Sequence, residues 1–376
     1  MKIAIMGTRG IPANYGGFET FAEELSTRLV DRGHDVWVYC RTHNVTYPGS
    51  VYRGVNLVKL PTIGTKYLDT VVHTFLSVWH GAWRRYDAIL VCNAANAVFC
   101  VVPRLFGEPV VLNVDGIERL RKKWGLSGRL WYHVGERLAT IVPNRMVSDA
   151  AVIEQYYLDK YGAESVMIPY GATTERCETT RALVDLGVEP GQYILYVSRL
   201  EPENNAHLVV EAFAHVDTDM KLVVVGDAPY ASEYKAMLVK LASEDPRVLL
   251  AGFVFGDGYR ELQSHAAAYV QATEVGGTHP ALIEAMGAGN AVLVNGTPEN
   301  VEVLGEAGVV FEPGSAVDLA SRLQSVLDDS SARERLGQRA AARVASTYSW
   351  DAVVSAYEDL FVEVARGGMK GGPTAK

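Results

Sequence analysis

AYVQATEVGGTHPALIEAMGAGN, residues 268–290, is the stretch on which the fold reading turns. Ala268–Gln271 is a short run suited to a buried strand, Gly276-Gly277-Thr278 is a turn, and Pro280–Met286 is a helical pattern. A second apolar run, Ala291–Val294, lies directly behind it. A strand that returns through a helix to another strand is the crossover unit of a parallel sheet covered on both faces. Thr278 or His279 can cap the helix, and Pro280 suits its first position. The Gly-Gly-Thr amides then form an anion seat, because unpaired N–H groups and the helix dipole both favour negative charge there. Glu284 follows one turn on, where it can accept bonds from a sugar diol or simply complement the dipole.

The alternation continues outward. Tyr193–Ser198, Lys221–Val225 and Val248–Leu250 precede this unit as strands and Gly308–Phe311 follows it. Ala206–His215, Ser232–Ser243, Tyr259–His265 and Val317–Leu327 are the helices between them. In the first half the strands are Lys2–Met6, Asp35–Cys40, Ala88–Cys92, Pro109–Val114 and Ser165–Ile168. Helical patterns Phe18–Arg32, Leu68–Arg84 and Leu126–Ala139 separate them. A polar stretch, Ala172 to Gly191, divides the two series. The fold class is therefore α/β, with two Rossmann-like doubly wound domains, residues 1–175 and 176–346. A last helical pattern, Trp350 to Val364, has no strand after it, and the Gly-rich tail 366–376 reads as disordered. Open sheets of this kind bind ligands beyond the carboxyl ends of their strands, so two facing domains would share a cleft.

A chain of 376 residues exceeds one ordinary core. A net charge of -9 argues against nucleic acid as a partner, since duplex binding needs a basic footprint. Cys40, Cys92, Cys100 and Cys177 form no CxxC pair, which suits a reducing cytosol better than a disulfide scaffold. No signal-peptide core is present in MKIAIMGTRG, and nothing approaches the roughly 20 apolar residues that span a bilayer. The chain reads as soluble and cytoplasmic. No metal is expected: the histidines lack HExxH spacing, and Asp217-Thr218-Asp219 precedes a strand, at the wrong end of the sheet. His73 and His80 read as helix-face residues.

Three further segments could carry chemistry. The loop after the first strand, Gly7 to Thr20, places Arg9, Asn14 and Tyr15 among four glycines, with Gly16 and Gly17 at the start of a helix. It is either a ligand loop or a turn whose glycines serve only geometry. It is not G-x-G-x-x-G, and Cys40-Arg41 stand where a nicotinamide site needs an acid. Arg199, at the carboxyl end of a strand, has the planar fork that suits a phosphate; its alternative is a surface pair with Glu201 or Glu203. Asp115 could orient a sugar hydroxyl or handle a proton, or mark an Asx-type turn before Gly116. Beyond it, Arg119, Arg121, Lys122, Lys123, Trp124, Arg129, Trp131 and Tyr132 fit either an interfacial patch for anionic lipid or a solvated face.

Taken in order, GTRGIPANYGGFET, NVDGIERLRKKW, IPYGA, YVSRLEPENN and EVGGTHPALIEAMGAGN resemble the GT-B glycosyltransferases of the large retaining family four. Within it they are most similar to a branch of bacterial rhamnosyltransferases of cell-wall and capsular polysaccharide assembly. The resemblance spans Lys2 to about Phe361. It implies a hexosyltransferase that needs no metal or other cofactor and takes a nucleotide-diphosphate sugar, dTDP-rhamnose first. The implied acceptor is a saccharide, lipid-linked, at the inner face of the cell membrane. Arg199 matches the family's diphosphate-binding Arg, while Asn204 falls where many members carry a second cation. Glu284 matches the second glutamate of E-x7-E, and the first falls on Gly276. Gly277, Thr278, His279 or Glu274 are then left to meet the donor sugar. Gly16 and Gly17 match the loop near the donor phosphates, with Arg9, Asn14 and Tyr15 on the acceptor side. Asp115 occupies the region of a family His near the donor sugar, and Asp115, Arg199 and His279 are the implied catalytic set. The final helix with Trp350, residues 347–365, resembles the segment that returns to the N-terminal domain. Two other readings remain: a GT-B sugar-nucleotide epimerase or phosphorylase, and a non-catalytic sugar-nucleotide-binding protein.

Overall fold

The computed structural model describes residues 1–14, 16–65, 68–121, 124–227 and 232–368. It divides into two compact units, Tyr170–Ser349 and Met1–Pro169 together with the segment that begins at Trp350. The division thus lies at Pro169/Tyr170, just ahead of the polar connector rather than inside it.

In the first unit, β1 (Lys2–Met6), α1 (Gly17–Asp31), β2 (Asp35–Arg41), β3 (Val51–Tyr52), β4 (Val55–Leu60) and α2 (Leu68–Gly81) come first. They are followed by β5 (Ala88–Cys92), α3 (Val101–Leu105), β6 (Val110–Asn113), α4 (Leu126–Ala139), β7 (Arg145–Ser148), α5 (Ala151–Tyr161) and β8 (Val166–Met167). The sheet order is β3-β4-β2-β1-β5-β6-β7-β8, parallel except for the β3–β4 edge hairpin. β1 and β5 have no exposed residue, which is why they read as continuous apolar runs. β3, β4 and β7 were not expected. The hairpin is short and turns at Arg53-Gly54, both at positive φ, and β7 is four residues long, so neither leaves a periodic signal.

The second unit holds α6 (Arg181–Leu186), β9 (Tyr193–Val197), α7 (Ala206–Phe213), β10 (Lys221–Val225), α8 (Ser232–Ser243), β11 (Val248–Gly252) and α9 (Gly256–His265). After them come β12 (Ala268–Gln271), α10 (Pro280–Gly287), β13 (Ala291–Asn295), α11 (Pro298–Leu304), β14 (Val309–Phe311), α12 (Ala316–Asp328) and α13 (Ser330–Thr347). Its wholly parallel sheet runs β11-β10-β9-β12-β13-β14. The order reverses between β9 and β12, and loops after those two strands therefore meet at the topological switch point. α13 escaped the sequence reading because its buried stripe is Gly337, Ala340 and Val344, too small to register as amphipathic. A Cβ on Gly337 would stand 2.1 Å from the Gly289 carbonyl, so two glycines let helix and loop backbones touch. Part of the glycine content of the 274–289 segment therefore serves packing.

α14 (Trp350–Gly368) belongs to the first unit and runs past the end expected for the helix. Arg366 is helical, and the expected disorder of the tail falls otherwise on residues 369–376, outside the described residues. Arg32 and His34 hold Glu358 of this helix, each at 2.8 Å, and Tyr357 and Phe361 are fully buried.

Candidate active site

In the second unit, the loops after β9 and β12 are tied to each other. The Glu274 amide donates to the Glu203 carbonyl (3.0 Å), and Asn205 Nδ2 donates to the Ala272 carbonyl (3.0 Å) and Glu274 Oε1 (2.9 Å). Asn205 manages this from a left-handed conformation, φ 59°, which asparagine tolerates better than most residues. Two more buried asparagines converge on the same backbone. Asn295 Nδ2 donates to the Ala272 and Thr273 carbonyls (both 3.3 Å), and Asn300 Nδ2 to the Thr273 carbonyl (3.0 Å). Sequence reasoning missed all three, since a lone asparagine carries no periodic or motif signal. Here they replace the carbonyl partners that the strand ladder no longer supplies.

Arg199 leaves β9 at its carboxyl end, about a third exposed, with its guanidinium 3.9 Å from Glu201. That is a loose contact for an ion pair. Glu203 is fully buried and turned away from solvent, so the alternative partner does not hold it. Asn204 is buried and donates through Nδ2 to the Arg199 carbonyl (2.7 Å). Its own carbonyl accepts from the Tyr196 hydroxyl, which burial keeps protonated. Asn204 therefore shapes the Arg199 loop from beneath.

At the N-terminus of α10, His279 is the capping residue and Pro280 opens the helix. His279 does not cap through its side chain; its ring instead turns to Thr273, Nε2 to Oγ1 at 2.9 Å. Gly277 and Thr278 are buried, Gly276 and His279 half-buried, and Glu274 exposed. Half-buried Glu284 accepts through Oε2 from the Tyr259 hydroxyl, which in turn accepts from Gln263 Nε2 (2.8 Å). Burial and the neighbouring Glu284 charge raise the Tyr259 pKa well above its usual value, so Tyr259 stays a donor. This partner too had no sequence signal. Beyond β11, Phe253 and Phe255 stack with centroids 5.4 Å apart.

In the first unit, loop 7–14 is held by its own helix: Glu19 Oε1 accepts from the Arg9 amide (2.9 Å) and Glu23 Oε2 from the Ala13 amide (2.7 Å). Asn14 Nδ2 donates to the Asn44 carbonyl (2.5 Å), while Tyr15 lies outside the described residues. The glycines divide. Gly7 has φ 90° and a Cβ there would stand 2.5 Å from the Cys92 carbonyl, so geometry demands it. Gly16 has extended φ, and its Cβ would meet only Glu19 Oε2 at 3.6 Å. Asp115 follows β6 at φ 55°, a strained setting for a non-glycine residue. The Asx-type turn is made by Asn113, whose Oδ1 accepts from the Asp115 amide (2.9 Å) while its Nδ2 donates to Tyr357 of α14 (2.8 Å). Behind β2 lies a polar knot: Arg41 pairs with Asp69 (2.5 Å) beside His73, whose imidazolium burial pushes down to about 4.

The expected basic–aromatic patch is corrected by the packing. Arg121 is buried against Glu118 (2.5 Å), Arg119 pairs with Glu136 (3.0 Å), and Trp124 packs on Tyr132. Trp131 donates its indole N–H to the Ala95 carbonyl (3.1 Å), and Lys122 and Lys123 lie outside the described residues. Glu118 and Glu136 thus take up Arg121 and Arg119, because the turn at Glu118–Leu120 packs on α4. What is exposed, apart from half-buried Phe99, is a row of rings, Trp83–Phe106–Trp79–Phe75–Phe99–Trp131, with successive centroids 5.4 to 6.4 Å apart. Exposed Leu105, Leu126, Leu130 and Val134 extend it.

Residues 185–343 match the family of glycosyl transferases group 1, and residues 1–78 match a domain of unknown function, DUF1972. The chain is similar to the N-acetyl-alpha-D-glucosaminyl L-malate synthase of Bacillus anthracis, 27% identical over 95% of this chain and 96% of that one. Among solved structures it is similar to a sucrose-phosphate synthase from Thermosynechococcus elongatus, with TM-score 0.82, 18% identity, and 97% and 99% of the two chains covered. It also resembles Anabaena HepE in complex with UDP-glucose, with TM-score 0.80, 16% identity, and 96% and 100% covered. The fold is GT-B, and the second unit carries the match to the group 1 glycosyl transferases. No helix of the described residues is long and apolar enough to cross a membrane.

Proposed function

We propose that the protein moves a hexose from a nucleoside-diphosphate sugar to a lipid-linked saccharide with retention of configuration, without a metal, and that dTDP-L-rhamnose is the first donor to try. The observation that carries this reading is the pair of bonded loops at the β9/β12 switch point, which presents Arg199 and the α10 N-terminus from neighbouring strands. Both elements favour phosphate, and Glu284 lies one turn along α10 for the ribose diol. Arg199 and the amides at Gly277 and Thr278 would stabilise the departing diphosphate as preorganised charge. In the transfer, the bond from the anomeric carbon to the diphosphate breaks and one to the acceptor oxygen forms on the same face. The acceptor proton passes to the diphosphate, so Asp115 orients a hydroxyl and is not required as a base. His279 meets the sugar, and Gly16, Gly17, Arg9 and Asn14 serve the phosphate and acceptor side.

Contact with an anionic bilayer belongs to the aromatic row on and beside α2, α3 and α4. In a chain of net charge -9, the acids on those helices are Asp69, held by Arg41, and buried Glu136, whereas Arg104, Arg129 and Arg137 are exposed. Exposed rings with cations around them are what headgroup-depth docking needs. Vesicles containing phosphatidylglycerol should carry the protein in flotation; binding that survives Trp79→Ala with Trp83→Ala, or is equal on neutral vesicles, would refute this face.

The catalytic reading is tested by thermal shift against UDP-, dTDP- and GDP-sugars, followed by product analysis with lipid-linked saccharides. Donor-dependent stabilisation with transfer is the expected result. Stabilisation without transfer to any acceptor would favour the non-catalytic binding protein.

A further inference from the structure

A cavity of about 380 Å³ lies against the N-terminal half of α4, lined by Arg119, Arg129, Leu130 and His133. Arg129 and His133 stand four residues apart on one helix face, and both are exposed. Among the described residues, neither side chain makes a hydrogen bond or an ion pair. Arg119 is held from its other neighbours: Nε reaches Glu136 Oε1 (3.0 Å) and Nη2 donates to the Tyr156 hydroxyl (2.9 Å). Buried Glu136 also takes Lys160 (3.1 Å) and accepts from the hydroxyls of Tyr156 (2.7 Å) and Tyr161 (2.9 Å). One carboxylate thus serves two cations, and a positive charge is left over beside the cavity. α4 has no second acid to cancel it.

An apolar stripe runs next to the basic one. Leu126, Leu130 and Val134 repeat at four-residue steps and are 87%, 63% and 43% exposed, so they are not packed into the unit. Leu130 belongs to both, as a wall of the cavity and the middle of the stripe. Guanidinium groups with their planar fork suit phosphate oxygens. A free phosphate would touch the cavity alone, whereas a phosphate carried on a hydrocarbon chain would touch the cavity and the stripe.

We propose that this cavity binds the phosphate link of a lipid-borne substrate. Arg119, Arg129 and His133 meet the phosphate oxygens, and the first part of the lipid chain lies along Leu126, Leu130 and Val134. The site rests on the lipid-linked acceptor proposed above and specifies it: the acceptor is recognised through the charged link between saccharide and lipid. Arg119 follows Asp115 by four residues after β6, so one loop would serve both the link and the acceptor hydroxyl. Selection differs from bilayer docking by the aromatic row. A phosphate monoester carries about two negative charges at neutral pH, against a single charge on a bilayer phosphodiester, and a surplus of cations favours the former.

The test is calorimetry with three probes, the amphiphiles below their micelle concentrations: dodecyl phosphate, neutral dodecyl maltoside and inorganic phosphate. Dodecyl phosphate should bind about tenfold more tightly than either of the others, the scale of one charge-assisted hydrogen bond. Arg129→Ala with His133→Ala should remove most of that margin, and Arg129→Lys should keep only part of it, because an ammonium lacks the fork. Leu126→Ser with Leu130→Ser should bring dodecyl phosphate down to the affinity of inorganic phosphate. These positions are exposed, so melting temperatures should hold and show that the fold is intact. Equal binding of the two dodecyl compounds, or a margin unaltered in Arg129→Ala with His133→Ala, would overturn the site. In transfer assays the same double variant should lose the preference for a saccharide on a lipid diphosphate over that saccharide on a neutral alkyl chain, through KM rather than kcat. A preference that survives the loss of dodecyl phosphate binding would overturn the link to the acceptor. Transfer to no acceptor at all would overturn the activity proposed above, while dodecyl phosphate binding still decides the site.

Discussion

The carboxyl ends of the two sheets are built on different plans. In the second unit, the loops after β9 and β12 are bonded to each other, and Asn205, Asn295 and Asn300 hold the Ala272 and Thr273 carbonyls from three elements. In the first unit, each loop is pinned by a helix: Glu19 and Glu23 of α1 hold loop 7–14, and Tyr357 of α14 holds Asn113. One plan fixes neighbouring loops in a mutual geometry, as a ligand touched from both demands. The other fixes loops separately and leaves the flank, α2 to α4, to expose an apolar face. A donor nucleotide with many polar atoms suits the first plan, and a variable acceptor near a lipid surface suits the second.

The largest expected effect tests the shared geometry of the second unit. Arg199→Ala should cost on the order of a thousandfold in turnover, or about 4 kcal/mol, the scale of a transition-state charge contact. Steady-state kinetics showing less than tenfold would mean that the bonded loops serve no diphosphate. Next comes the buried knot of the first unit. His73 in the fold protonates at about 4 against an ordinary 6.5, because burial disfavours its charge. The unfolded chain therefore binds the extra proton, and stability falls as pH drops from about 6.5 toward 4, by roughly 3 kcal/mol at most. Urea midpoints should lose much of that slope in His73→Leu; an unaltered slope assigns acid sensitivity elsewhere.

The glycines of loop 7–17 sharpen the contrast further. Gly7→Ala should destabilise the first unit by about 2 kcal/mol, through its positive φ and the clash with Cys92. Gly16→Ala should change stability by under roughly 0.5 kcal/mol yet impair transfer if the loop approaches a ligand. Denaturant melts and activity on the pair decide between a ligand loop and a simple turn. The smallest effect is Tyr259→Phe, expected to weaken donor binding about threefold by releasing one oxygen of Glu284. No change in calorimetry would make the Tyr259 contact incidental.

Most strands of both sheets and the helix from Pro280 were legible in residues 268–290 and their repeats, because burial on both faces imposes continuous apolar runs. Positions of Arg199 and Glu284 at strand and helix ends were legible for the same reason. The short hairpin strand β3, the helix α13 with its small-residue stripe, and the partners Tyr259, Asn205, Asn295 and Asn300 were not. Their roles depend on residues distant in sequence, and a single buried polar group has no period.

The sequence by itself determined the α/β class, the two series of crossover units and the strand–turn–helix of 268–287, all of which follow from local pattern. Only the tertiary structure decided which basic residues are used up internally, since Arg121 and Arg119 meet Glu118 and Glu136 after α4 folds back. It also decided that the His279 ring lies over Gly276 and is held from Tyr269 through Gln271 and Thr273. A hydrogen bond depends on distance and direction in space, and neither is a property of sequence spacing once the chain turns a loop.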